Sequence, residues 1–590
     1  MRGASKTRFF RLMLVTISVA GMVTLQLPHA TAGKDQSAQA LPNLAITLSP
    51  GGIESDGDPS YVEVSMRISG IEFAADAPFL LTPVKFASVQ AVPYAIDDVS
   101  ASDAAGAIPL RQTIDDPDEG GFLYYRRWSA VRAVENEVTL RYRAPIGLVV
   151  PSLGSGPPFD LRAAGGGISG AGSTFLIVPD AGDNPFSMTI NWNVEALRPG
   201  SIGVSSFGRG DSQVTGPVIQ LLFSYYMAGP VGRFPEQDGS SQFSGYWIGT
   251  PRFDAYELLR WSQRAYDAIV GFFGDTDPPP FTVMLRGNPY QGGGGAALTN
   301  SFLVSYPDTR EDAIELRETI AHETVHNWVS SIDGPPGSTS WFSEGMTVAY
   351  TRTLLYRSGL FSPDEYIESV NGTATNYYTN ALNDLPNDEI AAGFWKDTRI
   401  RSLPYTRGSL YFASVDAKIR NESEGRRSLD DLLKAFIGIK ESGAAVDTRT
   451  WLDLIVGELG PEAMKDFDSM IAGDLIVPPS DAFGPCFSRH AVPLRRFELG
   501  FDRNVLIIKP RIVTGVVIGS EADKAGLRDG DRILESIALD EVQRNLKQTL
   551  SFDISRDGEV RRIEYLPRGA SVDGYQWERN EDVPVTNCLH

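Results

Sequence analysis

His322-Glu323-Thr324-Val325-His326 lies inside a stretch from Glu311 to Ser331 whose apolar spacing predicts a helix. Residues four apart on a helix face the same side, so the imidazoles of His322 and His326 can reach one metal ion. Glu323 borders that surface, where its carboxylate can activate a water molecule as a general base without binding the metal. The alternative is a solvated helix face that carries two histidines and an acid, and it predicts nothing further along the chain.

A second segment supplies a candidate for a third metal ligand. A catalytic zinc site usually has three protein ligands and one water, so two histidines are not sufficient. Glu344 lies beyond a turn at Gly334-Pro335-Pro336-Gly337, in a helix predicted over Trp341 to Ser358. That helix can run back beside the first and bring its carboxylate to the metal. The sequence therefore predicts one Zn²⁺ per chain, held by His322, His326 and Glu344.

These segments carry a resemblance to a known family. Together with Arg357-Ser358-Gly359-Leu360, the stretches His322 to Trp328 and Trp341 to Thr347 resemble the glycyl aminopeptidase family of PDZ-containing zinc metallopeptidases. That family belongs to the thermolysin-like (gluzincin) clan, alongside the aminopeptidase N family. The resemblance implies a mainly α, thermolysin-like catalytic domain and a hydrolase that cuts peptide bonds with metal-activated water.

The same resemblance assigns a candidate catalytic tyrosine. Leu403-Pro404-Tyr405-Thr406-Arg407-Gly408 is similar to the Tyr-x-Lys-Gly segment of these peptidases, in which the tyrosine hydroxyl supports the tetrahedral oxyanion. A preoriented donor at the developing charge can lower the reaction barrier, so Tyr405 is the candidate for this role. Arg407 stands in place of the usual lysine, which keeps the charge but not the geometry. The alternative for Tyr405 is a packed aromatic side chain.

The stretch Gly292 to Ser301 departs from the family pattern. Aminopeptidases of this kind carry a Gly-Gly-x-Glu type strand, whose acid holds the free amino group of the substrate, and this stretch contains no acid. We therefore leave open whether the enzyme is an aminopeptidase or an endopeptidase. Glycines still allow a peptide backbone to approach as an added strand. The candidate substrate-binding residues are Gly293, Gly294, Gly295 and Ala296.

The C-terminal region has a signature of its own. Phe497 to Phe501 and Gly519 to Ile533 resemble a bacterial protease-type PDZ domain, which we expect over residues 490–572, followed by a tail over 573–590. Leu499, Gly500 and Phe501 would form the loop whose amides capture the carboxylate of a peptide C-terminus. The alternative is a packing or gating module. Cys486 and Cys588 bracket this region, and either pair in a disulfide or remain as buried thiols.

The rest of the chain divides by pattern. Residues 41–250 contain short alternating runs, such as Tyr61 to Met66 and Glu137 to Tyr142, and are expected to form an all-β, sandwich-like domain. Residues 251–476 contain long helical patterns and the metal motif, and Val477-Pro478-Pro479-Ser480 is a linker. The predicted fold class is therefore multidomain α+β, with a β domain, a catalytic domain and a PDZ domain.

The first residues indicate export. A basic start, an apolar stretch and small residues at Ala30-Thr31-Ala32 predict a cleaved signal peptide over residues 1–32, with a membrane anchor as the alternative. Cleavage would leave no stable membrane span and a periplasmic or secreted protein. The formal net charge of −21 becomes still more negative when the basic start is removed, which argues against nucleic acid as a partner.

These observations predict a secreted or periplasmic zinc-dependent peptidase with peptide or protein substrates. One alternative is a catalytically idle scaffold that binds peptide C-termini at the PDZ domain, and Glu323 has no purpose in such a scaffold. Another alternative is a non-peptide hydrolase of the same clan.

Overall fold

The structure of the protein, a computed structural model, describes residues 41–590 with short gaps. The residues outside the description are 1–40, 88, 118–122, 135, 148–158, 237–240, 289–293, 336, 395–396, 507–509, 536, 538, 545, 585–587 and 589–590. The expected signal peptide over residues 1–32 thus lies outside the described part. Within the described part, no helix combines the length and the apolar character needed to cross a membrane.

The N-terminal part consists of β-strands. In chain order they are β1 (Asn43–Ile53), β2 (Pro59–Ser69), β3 (Pro78–Phe86), β4 (Val89–Gln90), β5 (Val99–Asp103), β6 (Gly106–Ala107), β7 (Leu110–Ile114), β8 (Leu123–Ala130), β9 (Val138–Pro145), β10 (Arg162–Ala164), β11 (Gly167–Ala171), β12 (Val178–Pro179), β13 (Pro185–Trp192), β14 (Ile202–Ser205), β15 (Gly208–Arg209), β16 (Ser212–Pro217) and β17 (Tyr225–Gly229). The described strands form sheets of order β16-β13-β1-β2-β9-β5-β6, β10-β11-β17-β14-β15 and β12-β3-β8-β7, with β4 paired to β3.

One core joins these sheets. Residues along β1 alternate between buried and half-exposed, because successive side chains of a strand point to opposite faces. The buried face, with Leu44 and Ile46, packs in the same cluster as Leu80 of β3 and Trp128 of β8. The prediction of a β-rich N-terminal domain is confirmed. The domain differs from a simple two-layer sandwich because it contains a third sheet.

A mixed sheet spans the expected boundary at residue 250. Its strands are β18 (Gly232–Phe234), β19 (Phe243–Ile248), β20 (Phe281–Asn288), β21 (Gly294–Leu298) and β22 (Ser301–Pro307), in the order β18-β19-β20-β22-β21. The strands β19, β20 and β22 run parallel, and β21 runs antiparallel to β22. Strand β19, which precedes residue 250, therefore pairs with β20 of the catalytic region, and β18 joins the sheet through β19. The alternation of residues does not reveal this long-range pairing.

Ten helices described between residues 255 and 472 form most of the central region. They are α1 (Ala255–Phe273), α2 (Ile314–Val325), α3 (Ser340–Arg357), α4 (Pro363–Thr379), α5 (Asn387–Gly393), α6 (Thr398–Arg401), α7 (Leu403–Glu422), α8 (Leu429–Glu441), α9 (Thr448–Leu459) and α10 (Glu462–Ala472). Side chains cap several helix starts, as Asp254 does for α1 and Ser362 with Glu365 for α4. The predicted helical central domain is confirmed.

The C-terminal region contacts the helical domain through its paired first and last strands. Its elements are β23 (Phe487–Phe497), α11 (Glu521–Lys524), β24 (Arg532–Ile533), α12 (Leu539–Arg544), β25 (Leu550–Arg556), β26 (Glu559–Tyr565) and β27 (Arg568–Arg579). The strands β23 and β27 pair with each other, and β24, β25 and β26 form a separate sheet with its own core. The region expected as a tail over 573–590 thus begins inside a paired strand.

Two contacts hold the paired strands β23 and β27 against the helical domain. The main chain of Trp577 in β27 donates to Asn371 Oδ1 of α4 at 2.8 Å, and Asn371 Nδ2 donates back to the Trp577 carbonyl at 2.8 Å. Cys486 and Cys588 form a buried disulfide in the same apolar cluster. Farther out, Arg503 Nη1 donates to Asp397 Oδ1 at 2.6 Å, which links the C-terminal region to the cap of α6.

Candidate metal centre

The helix α2 presents the motif but ends earlier than the sequence predicts. It closes at Val325, with His326 as its C-cap residue, and does not continue to Ser331. The side chain of Asn327 donates to the carbonyl of Thr324 at 2.8 Å. A side chain that binds a terminal carbonyl replaces the backbone donor that would continue the helix. His322 and Glu323 therefore lie in the buried last turn of α2, and His326 follows as its half-buried C-cap residue.

Three donor atoms form a nearly equilateral triangle. His322 Nε2 lies 3.3 Å from Glu344 Oε2, His326 Nε2 lies 3.3 Å from the same oxygen, and the two Nε2 atoms are 3.2 Å apart. Tetrahedral ligands with bonds of 2.0–2.1 Å to zinc lie about 3.4 Å from one another. The helix α3 thus brings Glu344 to a position where all three side chains fit a single zinc ion.

The orientation of His326 also suits a metal. Its Nδ1 lies 3.0 Å from the Val329 carbonyl and 3.3 Å from Thr347 Oγ1. An Nδ1–H that donates to the carbonyl leaves the Nε2 lone pair directed at the centre. Two imidazole nitrogens and a carboxylate oxygen within this distance repel one another unless a proton or a metal cation lies between them, and the donor set fits Zn²⁺.

Electrostatics give the centre a strong preference for positive charge. Burial by itself raises the pKa of Glu344, but His326 and hydrogen bonds from both imidazoles outweigh it and hold the pKa at about 2. For His326, burial lowers the pKa, whereas Glu344 and Glu323 raise it to about 9. Glu344 is therefore a carboxylate throughout the physiological range and attracts a cation to this point.

Glu323 borders the triangle without closing it. One ligand atom each of His322, Glu323 and His326 lies within 4.8 Å of the others. Glu344 closes the tighter triangle, with edges near 3.3 Å. We therefore assign Glu344 as the third metal ligand. Glu323 lies beside the metal position and is not assigned as a ligand. Glu323 is buried, and its charge acts on His326 and on Tyr405.

Tyr405 reaches the same centre from the first turn of α7. Its ring stacks on the imidazole of His322, with centroids 5.9 Å apart and an interplanar angle of 26°. Burial raises the pKa of Tyr405 well above its usual value, and the carboxylates of Glu344 and Glu323 raise it further. The hydroxyl therefore remains protonated at neutral pH and is a hydrogen-bond donor at the centre.

Two glycines allow α3 and α7 to touch along their backbones. A Cβ atom added to Gly345 would lie 2.5 Å from Gly408 Cα, and one added to Gly408 would lie 2.4 Å from the Trp341 carbonyl oxygen. Both distances are too short for any side chain. Glu344 precedes one glycine and Tyr405 lies three positions before the other, so this contact sets the distance between the third ligand and the tyrosine.

Two arginines near Tyr405 differ in their roles. Arg407, which replaces the family lysine, is buried and donates through Nη2 to the carbonyls of Asn383 at 2.8 Å and Leu385 at 2.7 Å. It fastens a loop to α7. Arg401, which the sequence analysis did not single out, is buried one turn before Tyr405, and its charge partly offsets the carboxylates acting on that hydroxyl. Its only sequence signal is its spacing of four from Tyr405.

The glycine-rich stretch forms the last strand of the mixed sheet. Gly294, Gly295 and Ala296 lie buried in β21, whereas Gly293 lies outside the described residues. A Cβ on Gly295 would lie 1.8 Å from the ring of Phe302 in β22. Close packing within the sheet thus already requires glycine at this position, independently of any substrate.

The Leu499-Gly500-Phe501 loop turns at a left-handed residue. Gly500 has φ +82°, and a Cβ there would lie 2.8 Å from Ser520 Oγ. The carbonyl of Leu499 accepts from Tyr565 Oη at 2.7 Å, and that of Gly500 accepts from Val517 N at 2.8 Å. Both carbonyls are therefore turned into the C-terminal region itself.

No family model and no curated protein matches the chain. Among solved structures, the aminopeptidase N family protein from Idiomarina loihiensis aligns with a TM-score of 0.65 and 15% identity, covering 93% of this chain and 100% of that chain. This similarity shows a shared fold.

Two further structures align more weakly. The M1 zinc metallopeptidase from Deinococcus radiodurans has a TM-score of 0.44 and 16% identity, over 75% of this chain and 96% of that chain. Native yeast LTA4 hydrolase has a TM-score of 0.43 and 12% identity, over 77% of this chain and 72% of that chain.

Proposed function

We propose that this chain is a zinc-dependent peptidase, with one zinc ion held by His322, His326 and Glu344. The observation that carries the proposal is the triangle of donor atoms, with edges of 3.2 and 3.3 Å, to which helices α2 and α3 contribute. The fold shared with an aminopeptidase N family protein supports the same reaction class. Glu323 and Tyr405 flank the triangle, as hydrolysis requires.

The chemistry divides among these residues. Zinc, when bound, polarises the scissile carbonyl and lowers the pKa of water. Glu323 is the general base that takes the proton of the attacking water and then passes it to the leaving amine. Tyr405, held protonated by burial, donates its hydroxyl to the oxyanion that develops on the substrate carbonyl. Arg401 adds a buried positive charge near that donor.

We propose that cleavage does not depend on a free amino terminus. The residues of β21 and the following turn, from Gly294 to Asn300, include no acid that could hold an ammonium group. A free amine placed beside this strand would lose its hydration without a charged partner from β21. We therefore favour internal cleavage, with β21 as the strand along which a peptide backbone adds.

We also propose that the protein works outside the cytoplasm. The signal pattern of residues 1–32 and the buried Cys486–Cys588 disulfide support export to the periplasm or the medium, because disulfides persist in oxidising compartments. Detection of a mature N-terminus near residue 33 in protein recovered from the periplasm or medium tests this.

The C-terminal region is proposed as a PDZ domain that binds peptide C-termini through Leu499, Gly500 and Phe501. The left-handed turn at Gly500 and the inward carbonyls support it, since such a turn directs successive amides outward as an anion site. A peptide with a free carboxylate should bind at least tenfold more tightly than its amide. Equal affinity for the two peptides would indicate that the region is a packing or gating module.

One experiment separates the peptidase from its alternatives. The metal-loaded protein is incubated with a complex peptide mixture beside Glu323→Gln, and new termini are sequenced. Glu315→Gln serves as the control, because Glu315 pairs with Arg310 at the opposite end of α2. Internal cuts support the proposal and single-residue trimming restores an aminopeptidase. If neither the wild type nor the control cuts any peptide, the chain is a scaffold or a non-peptide hydrolase.

A further inference from the structure

A cavity of about 60 Å³ lies in the wall formed by α3, α4, α7 and the start of α8. Such a volume accommodates roughly four to six water-sized groups. The cavity lining includes apolar surface from Phe412, Ala413 and Phe483, and aromatic rings from Tyr356 and Tyr366. Those two tyrosine rings stack on each other, with centroids 4.5 Å apart. The space is therefore shaped for a small, partly apolar molecule.

A buried cation lines this cavity without an ion-pair partner among the described residues. Arg352 of α3 is 2% exposed, and Thr373 Oγ1 at 3.2 Å is its one hydrogen-bond acceptor in the described part of the chain. The acid whose charge acts on it, Glu318, accepts a hydrogen bond from Ser369 and lies beyond ion-pair distance. A guanidinium has five N–H groups, so Arg352 retains donors for another acceptor.

The other charges of the lining are already neutralised. Asp430 accepts from Arg357 at 2.7 Å and from Tyr350 at 2.9 Å. Asp416 accepts from Arg420 at 2.9 Å and from the Leu429 amide at 2.9 Å. Because Arg420, which lies outside the lining, neutralises Asp416, the positive charge of Arg352 is the one left without an ion-pair partner among the described residues of this wall.

A second donor remains at the same wall. The hydroxyl of Tyr356, a residue only 7% exposed, is buried and has no hydrogen-bond partner in the described structure. A buried polar group without a partner is costly, and so is a buried charge without a counterion. Both deficits would be removed by one acceptor that carries a single negative charge.

We propose that this cavity is a binding site for a small monocarboxylate. The carboxylate would accept from Arg352 and from the Tyr356 hydroxyl, and its short apolar group would lie against Phe412 and Phe483. A doubly charged phosphate fits less well, because it would bring uncompensated charge next to Asp416 and Asp430. Access is from the side of Arg357 and Asp430, whose side chains are 27% and 26% exposed.

The test is the thermal unfolding of the full chain in sodium propionate against sodium chloride at equal ionic strength. A ligand that binds only the folded state raises the midpoint with its concentration. Alanine in a second arm distinguishes an amino acid, as a peptidase would release, from a free organic acid. Propylammonium chloride in a third arm has the same apolar group without the carboxylate and should give no shift.

Variants identify the site. Tyr356→Phe removes one donor and keeps the ring, and should weaken propionate binding by roughly three- to tenfold. Arg352→Met should abolish the shift, whereas Arg352→Lys keeps the charge without the paired N–H groups and should be intermediate. Tyr411→Phe is the matched control, because Tyr411 is a buried tyrosine of α7 whose hydroxyl accepts from Trp451, outside the cavity lining.

Two results would overturn the proposal. One is a midpoint that neither carboxylate raises above the chloride value, which would mean that the cavity holds only water. The other is a propionate shift that Tyr356→Phe and Arg352→Met leave as large as in the Tyr411→Phe control. Turnover is not measured, and the Tyr356→Phe and Arg352→Met variants distinguish this cavity from carboxylate binding at a zinc ion, so the outcome is independent of the peptidase assignment.

Discussion

The glycine pair that joins α3 to α7 permits a quantitative test of how the centre is built. In Gly408→Ala, the new Cβ would lie 2.4 Å from the Trp341 carbonyl oxygen, whereas ordinary contact begins at 3.4 Å. The two helices must therefore separate by about 1 Å at this point. Overpacking of this kind costs about 1–3 kcal/mol of unfolding free energy.

The same displacement should reduce catalysis by more than stability alone explains. The glycine contact lies beside Glu344 and one turn from Tyr405, so separation of the helices moves the tyrosine away from the third ligand. A misplacement of about 1 Å can cost on the order of a hundredfold in rate. We expect kcat to fall by about that factor while zinc content stays near one per chain, because α2 and α3 still supply the ligands.

The assay combines urea unfolding, elemental analysis and peptide turnover, with Gly457→Ala as the control. Gly457 lies within α9 with nothing inside 4 Å of an added Cβ, so alanine there should raise stability by about 0.5–1 kcal/mol and leave turnover unchanged. If Gly408→Ala retained turnover within twofold and unfolded at the wild-type urea concentration, the helix contact would not set the geometry of the centre.

Three other outcomes are expected. Glu344→Gln should weaken zinc binding, whereas Glu323→Gln should keep the metal and lose turnover, as elemental analysis and peptide assays will show; the reverse pattern would exchange their roles. Mass spectrometry of non-reduced protein should find no alkylatable thiol, and Cys486→Ser should lower stability by roughly 2–5 kcal/mol, because the bridge spans 102 positions; a free thiol in fresh protein would contradict this. Acetylating the amino terminus of a peptide should leave its kcat/KM within a few-fold, and a hundredfold preference for the free amine, about 2.7 kcal/mol, would restore an aminopeptidase.

The metal centre was the most predictable part of the molecule. The spacing of four between His322 and His326 is a local property of a helix, so the sequence alone places both imidazoles on one surface. Glu344 needed one further inference, a turn that reverses the chain. The end of α2 at Val325 was not predicted, because it depends on a side-chain hydrogen bond from Asn327 that competes with the helix.

Contacts between residues far apart in the chain could not be predicted from the sequence. The pairing of β19 with β20 across residue 250 joins segments that alternation alone does not relate. The contact between Gly345 and Gly408 was hidden for the same reason, although both glycines stood in the quoted motifs. Arg352 and Tyr356 read as ordinary members of a helix until tertiary packing placed them on one cavity.

The antiparallel ribbon of β23 and β27 determines what kind of joint the C-terminal region has. A module appended at the end of a chain swings on a single flexible linker, but here the polypeptide leaves and returns through two paired strands, both seated at the helical domain. Two paired strands resist twisting more than a single linker does, so we expect any movement of the region between them to be a tilt about the contact of β27 with α4. The Arg503–Asp397 ion pair connects this region to the helical domain at a second point, the N-cap of α6. A tilt that breaks this ion pair would displace Asp397, the N-cap residue of α6, which lies four residues before Arg401 and eight before Tyr405.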